Sequence, residues 1–275
     1  MCRWMAWHGQ PVIVGELLLE TKHGLIDQSL HSRMGAETTN GDGFGLGWYG
    51  DGEGPGVYHS VSPAWGDRNL RELARHVESP MFMAHVRATS GTAIQETNCH
   101  PFRHGRWLFV HNGVIGGFHV LRRDLTLAID PELFAEMEGS TDSEVLFHLA
   151  LTHGLEDDPL TALERAIGAI EALARTRGVA EAFQGTVGVS DGECLWAIRH
   201  ATDGRPRTLF ASAEAESLRR LHPDNPRLQR LHDGDRLVVS EPFSDLPGAW
   251  HEVPASTALV VEAGGEHSLR PFEPA

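Results

Sequence analysis

The sequence predicts an α+β fold in which helices and largely antiparallel strands are layered within one domain. Three observations carry that prediction. Asp191-Gly192 separates two apolar-rich runs, the strongest short-range signal of a hairpin. Two segments opening at Thr141 and near Asp158 carry apolar side chains at helical spacing, the first behind a capping box and the second closed by Gly178. The 30 Gly and 15 Pro, many in turn dipeptides, divide the remainder into short elements rather than a helical bundle.

Taken in order, Cys2–Trp7, Gly45–Tyr49, Met81–Val86 and Trp107–His111 read as strands from their apolar and aromatic runs. Between them, Asp67–Val77 is a predicted helix capped by Asp67, with Leu70, Leu73, Ala74 and Val77 on one face. Thr141-Asp142-Ser143-Glu144 is a T-x-x-E capping box leading into Val145-Leu146-Phe147-His148-Leu149. The next helix runs from about Asp158 to Arg177, with Leu160, Leu163, Ala166, Ile167, Ile170, Leu173 and Ala174 as its stripe and Gly178 as its stop. The hairpin arms are Phe183–Ser190 and Glu193–His200. Strands are expected at Thr208–Ser212, Arg236–Ser240 and Ala258–Glu262, with a short helix near Glu214–Leu221. No repeat or long linker divides the chain, so 1–275 reads as a single domain. Residues 200–235, rich in Arg, His and Pro, match no motif.

Composition narrows the function. The formal net charge is -15, with 38 Asp plus Glu against 23 Lys plus Arg. That balance repels phosphate backbones and anionic lipid, so neither nucleic acid nor a membrane is an expected partner. Cys2, Cys99 and Cys194 are too few and too widely spaced for a disulfide framework or a zinc site. No signal-peptide pattern opens the chain, and no run approaches about 18 apolar residues. The expected location is the cytoplasm.

Two motif matches fail on context. Gly45-Leu46-Gly47-Trp48-Tyr49-Gly50 fits a dinucleotide fingerprint, but the following Asp51-Gly52-Glu53-Gly54-Pro55-Gly56 is incompatible with the helix that motif must open. Gly188-Val189-Ser190-Asp191-Gly192 fits a nucleophile elbow, yet a hairpin arm follows where that elbow needs a helix. The 17 histidines include no H-E-x-x-H or comparable spacing, and no metal is expected.

The residue with unusual chemistry is Cys2. If Met1 is removed, one residue carries both a thiol and a free α-amine. That amine has a pKa near ~8, so a neutral fraction is available to take the thiol proton.

Cys2-Arg3-Trp4 and Asn40-Gly41-Asp42-Gly43-Phe44-Gly45-Leu46-Gly47-Trp48 are followed by His85-Val86-Arg87-Ala88-Thr89-Ser90-Gly91, Asn98-Cys99-His100-Pro101, His111-Asn112-Gly113 and Gly139-Ser140-Thr141-Asp142-Ser143-Glu144. This ordered series over the first 150 residues resembles the class II glutamine amidotransferases. Ser62-Pro63-Ala64-Trp65-Gly66-Asp67 and Ser240-Glu241-Pro242 extend the resemblance to stand-alone members that cleave γ-glutamyl compounds.

The resemblance implies the four-layer αββα sandwich of N-terminal-nucleophile hydrolases, with a motif core at 2–150 and completing elements at 151–275. It implies Cys2 as nucleophile and Asn112 with the Gly113 N–H as oxyanion hole. Arg87 would hold the substrate α-carboxylate and Asp142 its α-ammonium, with Thr89 and Ser90 lining the pocket. An ion pair for Arg87, helix-dipole complementation for Asp142 and a plain turn at Asn112-Gly113 are the competing structural roles. The Gly41–Gly47 run admits either close backbone approach to the site or tight strand packing.

The implied activity is cleavage of the γ-amide of glutamine or a γ-glutamyl compound through a thioester on Cys2, with no cofactor. The partner is then a small γ-glutamyl substrate. A glutaminase subunit serving a separate synthase and a non-catalytic γ-glutamyl-binding relative are the alternatives. Synthase-linked relatives carry R-W-A-T-H-G where this chain has Arg87-Ala88-Thr89-Ser90-Gly91. That departure favours hydrolysis over ammonia transfer.

Overall fold

The computed structural model describes residues 2–34, 39–89 and 91–275. The chain enters as β1 (Arg3–Ile13), then turns through two short helices, α1 (Val14–Leu18) and α2 (Leu25–Leu30). The hairpin β2 (Phe44–Trp48) and β3 (Gly56–Ser60) leads to α3 (Arg68–His76) and β4 (Glu78–Val86). Next come β5 (Phe102–His104), β6 (Trp107–Ile115) and the helices α4 (Phe118–Leu127), α5 (Pro131–Phe134), α6 (Asp142–Thr152) and α7 (Pro159–Thr176). The last third comprises β7 (Phe183–Ser190), β8 (Leu195–Ala201), β9 (Phe210–Ser212), α8 (Ala215–Leu221), β10 (Arg236–Val239), β11 (Trp250–Glu252), β12 (Thr257–Val261) and β13 (His267–Pro271).

The strands form two antiparallel sheets, ordered β11-β9-β10-β1-β4-β2-β3 and β13-β12-β8-β7-β6-β5. Strand alternation sorts their side chains into layers. On β1, Met5 and Trp7 face a core shared with Val14, Leu18, Leu25 and Ala74, so α1, α2 and α3 cover the first sheet. Trp4 and Ala6 face the other way and meet Leu108, Val110 and Leu195 of the second sheet. Beyond it, Phe109 and Val189 pack against Phe147, Leu163 and Ile167 of α6 and α7. The result is the expected αββα stack. Inner strands bury both faces, which is why they read as continuous apolar runs.

Local signals explain several helix boundaries. Asp67, Thr141 and Asp158 each accept a hydrogen bond from a backbone N–H in the first turn of α3, α6 and α7. Gly178 (φ +71) takes the left-handed conformation just past α7, as its stop requires. The capping box at α6 is only half formed. Thr141 Oγ1 accepts from Glu144 N, but the buried Glu144 carboxylate accepts from Glu138 N and Gly139 N, bracing the preceding loop instead. Thr141→Ala therefore lowers stability by about 1 kcal/mol, roughly 2–3 °C in Tm, measurable by thermal melting. An unchanged Tm would show that Glu144 alone holds this turn.

Residues 200–235 supply β9, α8 and a single 3-10 turn. Their Leu218 joins Ala213 and Ala249 in a small satellite core, with Leu228 and Leu231 packed against it.

Candidate active site

The two sheets bring the motif residues to one end of the gap between them. Cys2 precedes β1 and continues the face of Trp4 and Ala6, so the strand alternation points it at the second sheet. Arg3 pairs with Val86, which sets Cys2 beside the end of β4. Arg87 continues the same inward face of β4 as Met81 and Met83. On the facing sheet, Asn112 continues the inward face of Leu108 and Val110. Its ladder partner Thr186 accepts a 2.9 Å hydrogen bond from Trp4 Nε1, tying the sheets together there. Cys2, Arg87 and Asn112 thus face one space from three strands.

β5 pairs with β6 only as far as Phe109, leaving one edge of β6 without a strand from residue 110 onward. Ile115 N–H points out of that edge and donates to Asp142 Oδ2 at 2.8 Å. Backbone N–H groups two residues apart point to the same side of a strand, so Gly113 N–H faces this edge too. The plain-turn alternative for Asn112-Gly113 fails, because both lie within β6. A side chain at Gly113 has no room: its Cβ would lie 2.4 Å from His111 Nε2 and 2.3 Å from Gln184 O. Asn112 is 3 % exposed, yet its amide makes no hydrogen bond with any described residue.

Cys2 is half-buried, and its thiol contacts Ala88 O at 3.6 Å. Burial raises the thiol pKa, and the Asp142 carboxylate adds to that rise. The Ala88 contact and the Arg87 guanidinium pull the other way without cancelling it. A thiol so placed is protonated at neutral pH and needs a base at hand.

Arg87 is 3 % exposed. Its guanidinium donates to Asp42 O at 3.3 Å, Thr89 Oγ1 at 3.5 Å and Thr92 Oγ1 at 2.5 Å. Each acceptor is a neutral oxygen. Among the described residues no carboxylate lies within ion-pair distance of Arg87, so the structural ion pair weighed from sequence is not formed. The loop after it is fixed by Asp42 Oδ2, which accepts from Thr89 N at 2.8 Å, and by Thr89 Oγ1 donating to Thr92 O at 2.8 Å. Thr89 therefore shapes the arginine's seat. Ser90 lies outside the described residues.

Asp142 opens α6, and its Oδ1 accepts from Ser143 N at 3.0 Å. Ser143 Oγ reaches His111 Nδ1 at 2.9 Å, joining α6 to β6. Burial lowers the pKa of His111 to about 4 and of His85 to about 3, so both rings are neutral at pH 7. Within the glycine run, tight packing accounts for Gly45 and Gly47. A Cβ at Gly45 would lie 2.1 Å from His100 O, and one at Gly47 would lie 2.9 Å from Leu108 Cδ1. Asp42 and Gly43 do approach the site, through backbone bonds in both directions with Arg87.

Sequence reasoning missed Asp42 and Thr92 as supports of Arg87. The available signal was Thr89 and Thr92 three residues apart around Gly91, whose φ of +112 makes the turn. It also missed the bond from Arg3 to Cys2 and Glu241.

The model of the family described as "Glutamine amidotransferases class-II" matches residues 20–264, a span that starts after Cys2. The probable glutamine amidotransferase DUG3 of Saccharomyces cerevisiae is 31% identical over 95% of this chain and 82% of its own length. The gamma-glutamyl-hercynylcysteine sulfoxide hydrolase of Mycolicibacterium smegmatis is 30% identical over 92% of both chains. Among solved structures, a glutamine aminotransferase class-II domain protein from Silicibacter pomeroyi aligns with TM-score 0.74 and 34% identity, over 99% of this chain and 100% of that one. The phosphoribosylpyrophosphate amidotransferase of B. subtilis aligns with TM-score 0.64 at 16% identity, a likeness of fold. On the family match and these relatives together, the chain belongs to the class II glutamine amidotransferases, a family of enzymes.

Proposed function

We propose that the protein hydrolyses the γ-amide of a γ-glutamyl compound, with Cys2 as nucleophile once Met1 has been removed. The observation that carries this reading is Arg87, a buried cation with neutral oxygens around it, on the same inward face as Cys2. A buried guanidinium is costly without an anion, and a substrate α-carboxylate supplies one with matching fork geometry. The half-buried Asp142 carboxylate is the complementary seat for the α-ammonium.

The reaction follows from these groups. The neutral α-amine of Cys2 takes the thiol proton, and the thiolate attacks the γ-carbonyl carbon. Negative charge develops on the carbonyl oxygen, where the Asn112 amide and Gly113 N–H donate to it. Collapse of this intermediate breaks the C–N bond. The leaving amine takes the proton held by the Cys2 amine, and a γ-glutamyl thioester remains. Water then attacks the thioester, giving its proton through the same amine, and glutamate leaves as the thiol is restored. Activity accordingly rises with pH as the α-amine deprotonates.

Both the likeness to a named γ-glutamyl hydrolase over 92% of each chain and the absence, after Arg87, of the Trp and His of the synthase-linked pattern favour hydrolysis. The test is glutamate release by N-terminally processed protein from glutamine and a panel of γ-glutamyl amides. Fast release from one such amide, with glutamine poor, is expected. Slow release from all of them would oppose a dedicated hydrolase and direct the search to a synthase partner.

Arg87→Ala tests the carboxylate seat. Losing charge-assisted hydrogen bonds to substrate raises KM by about 10- to 100-fold. An unchanged KM in the folded variant would make Arg87 structural.

A further inference from the structure

Cys2 precedes the ladder, and something outside the sheet must fix it. Arg3 Nη1 donates to Cys2 O at 2.9 Å, and among the described residues this carbonyl has no other hydrogen bond. The same guanidinium donates through Nε to Glu241 Oε2 at 3.1 Å and through Nη2 to Ser32 Oγ at 2.6 Å. Arg3 and Glu241 are each 2 % exposed. Glu241 follows β10, and its neighbour Ser240 is bonded in both directions to Trp4.

The Glu241 carboxylate is saturated with donors. Besides Arg3 it accepts from Ser32 Oγ at 2.9 Å, Arg33 N at 2.8 Å and Met34 N at 3.0 Å, and it meets His23 Nε2 at 2.6 Å. Burial alone would raise its pKa, but these donors outweigh burial and hold it below the usual carboxylate range. Gln28 Nε2 braces both His23 O and Glu241 O. The β1–β4 and β1–β10 ladders already hold β1 in place, so the strand does not need this network. A buried ion pair is also a weak source of stability against apolar residues of similar volume. What the network adds is a fixed Arg3, and what Arg3 fixes is Cys2.

We propose that Arg3 and Glu241 are positioning residues for the nucleophile: Glu241 orients the Arg3 guanidinium, which fixes the Cys2 backbone and sets the charge balance at its α-amine. This rests on the reading of Cys2 as an N-terminal nucleophile. The charged groups facing Cys2 are Arg87 from the end of β4, Asp142 from the first turn of α6, and Arg3 from its own strand with Glu241 behind it. Behind Glu241 lie His23 and Asp27, 3.1 Å apart. Removing the Glu241 charge leaves Arg3 uncompensated near the amine, which favours the neutral amine.

Two variants separate orientation from charge. Glu241→Gln keeps the shape and removes the charge, so the acid limb of the kcat/KM profile moves down by about one pH unit. Arg3→Lys keeps the charge and loses the fork, so kcat falls at least about tenfold, with KM within about twofold of the parent and the limb in place. Iodoacetamide alkylation of the Cys2 peptide, followed by mass mapping across pH, reads thiolate formation without turnover, and the uncompensated Arg3 charge moves that profile down in the same direction.

A shifted alkylation profile in Glu241→Gln, with no γ-glutamyl turnover even in the parent, would keep the positioning role and reject the proposed reaction. Parent-like limbs and parent-like kcat in both folded variants would overturn the positioning role. If Glu241→Gln gives no cooperative melt, Arg3→Lys decides: a selective loss of kcat supports the proposal, and an unchanged kcat rejects it.

Discussion

Cys2→Ala is expected to abolish glutamate release from every γ-glutamyl amide while the fold stays unchanged. Cys2 is half-buried at one end of the intersheet gap, and among the described residues its thiol has one polar contact, Ala88 O at 3.6 Å, so its truncation breaks no strong bond of the fold. Chemically the loss is complete, because neither of the other two cysteines can replace the nucleophile. Cys99 is fully buried, with its thiol against Ser60 O and its pKa raised by burial to about 11. Cys194 lies on the far β7–β8 turn beside Ser190. Glutamate assays on the processed variant, with Tm as the control for folding, decide this prediction. Retained turnover would sink the mechanism. Protein that keeps Met1 is expected to be equally inactive despite an intact thiol, since its Cys2 nitrogen is an amide and no longer a base.

Asn112→Ala is expected to lower kcat by about 10²–10³-fold, the loss typical of one oxyanion donor. The structure supplies the reason to expect a catalytic loss with little structural cost. Asn112 sits within β6, held by ladder bonds to β7, while its side-chain amide makes no hydrogen bond to a described residue. Truncation therefore leaves no native partner unpaired, and Tm should move little. KM should also stay close to the parent value, because the donor acts on charge that develops only in the transition state. A drop in Tm together with a rise in KM would instead assign Asn112 to packing and substrate binding.

What the sequence made legible was local. Asp67 and Thr141 cap their helices as expected, because each cap is read within one turn, and Asp158, expected only as the start of its helix, caps it as well. Asp191-Gly192 falls in the β7–β8 turn, with Gly192 at φ +96, but the turn continues through Cys194 and the second arm starts at Leu195 rather than at the expected Glu193. Elements without a local signal were lost. α4 starts from Gly117 at φ +61 with no side-chain cap, so the helical spacing of Phe118, Leu121 and Leu125 stands without a start signal. α1 and α2 have five and six residues, too short to show a period. β1 was expected to end at Trp7, yet it runs to Ile13 because Val12 and Ile13 resume pairing with Ser79 and Glu78 past an irregularity. Gln10 and Pro11 in that stretch disguise the continuation.

The site divides in the same way. Cys2, Arg87, Asn112, Gly113 and Asp142 are candidates because each sits in a short ordered motif. Their convergence came from strand alternation, which points three of them into one gap. The supports of these residues were hidden by distance along the chain. Arg3 and Glu241 are 238 positions apart, and no spacing rule links them. Asp42 and Thr89 are 47 apart and meet only because β2 and β4 are neighbours.

The most direct test of the account is where an electrophilic glutamine analogue, such as a γ-diazoketone, attaches to the processed protein. Peptide mass mapping should place a single adduct on the peptide that begins at Cys2, with excess γ-glutamyl substrate preventing it. An adduct on Cys99 or Cys194, or no adduct on protein that turns over γ-glutamyl amides, would contradict Cys2 as the nucleophile.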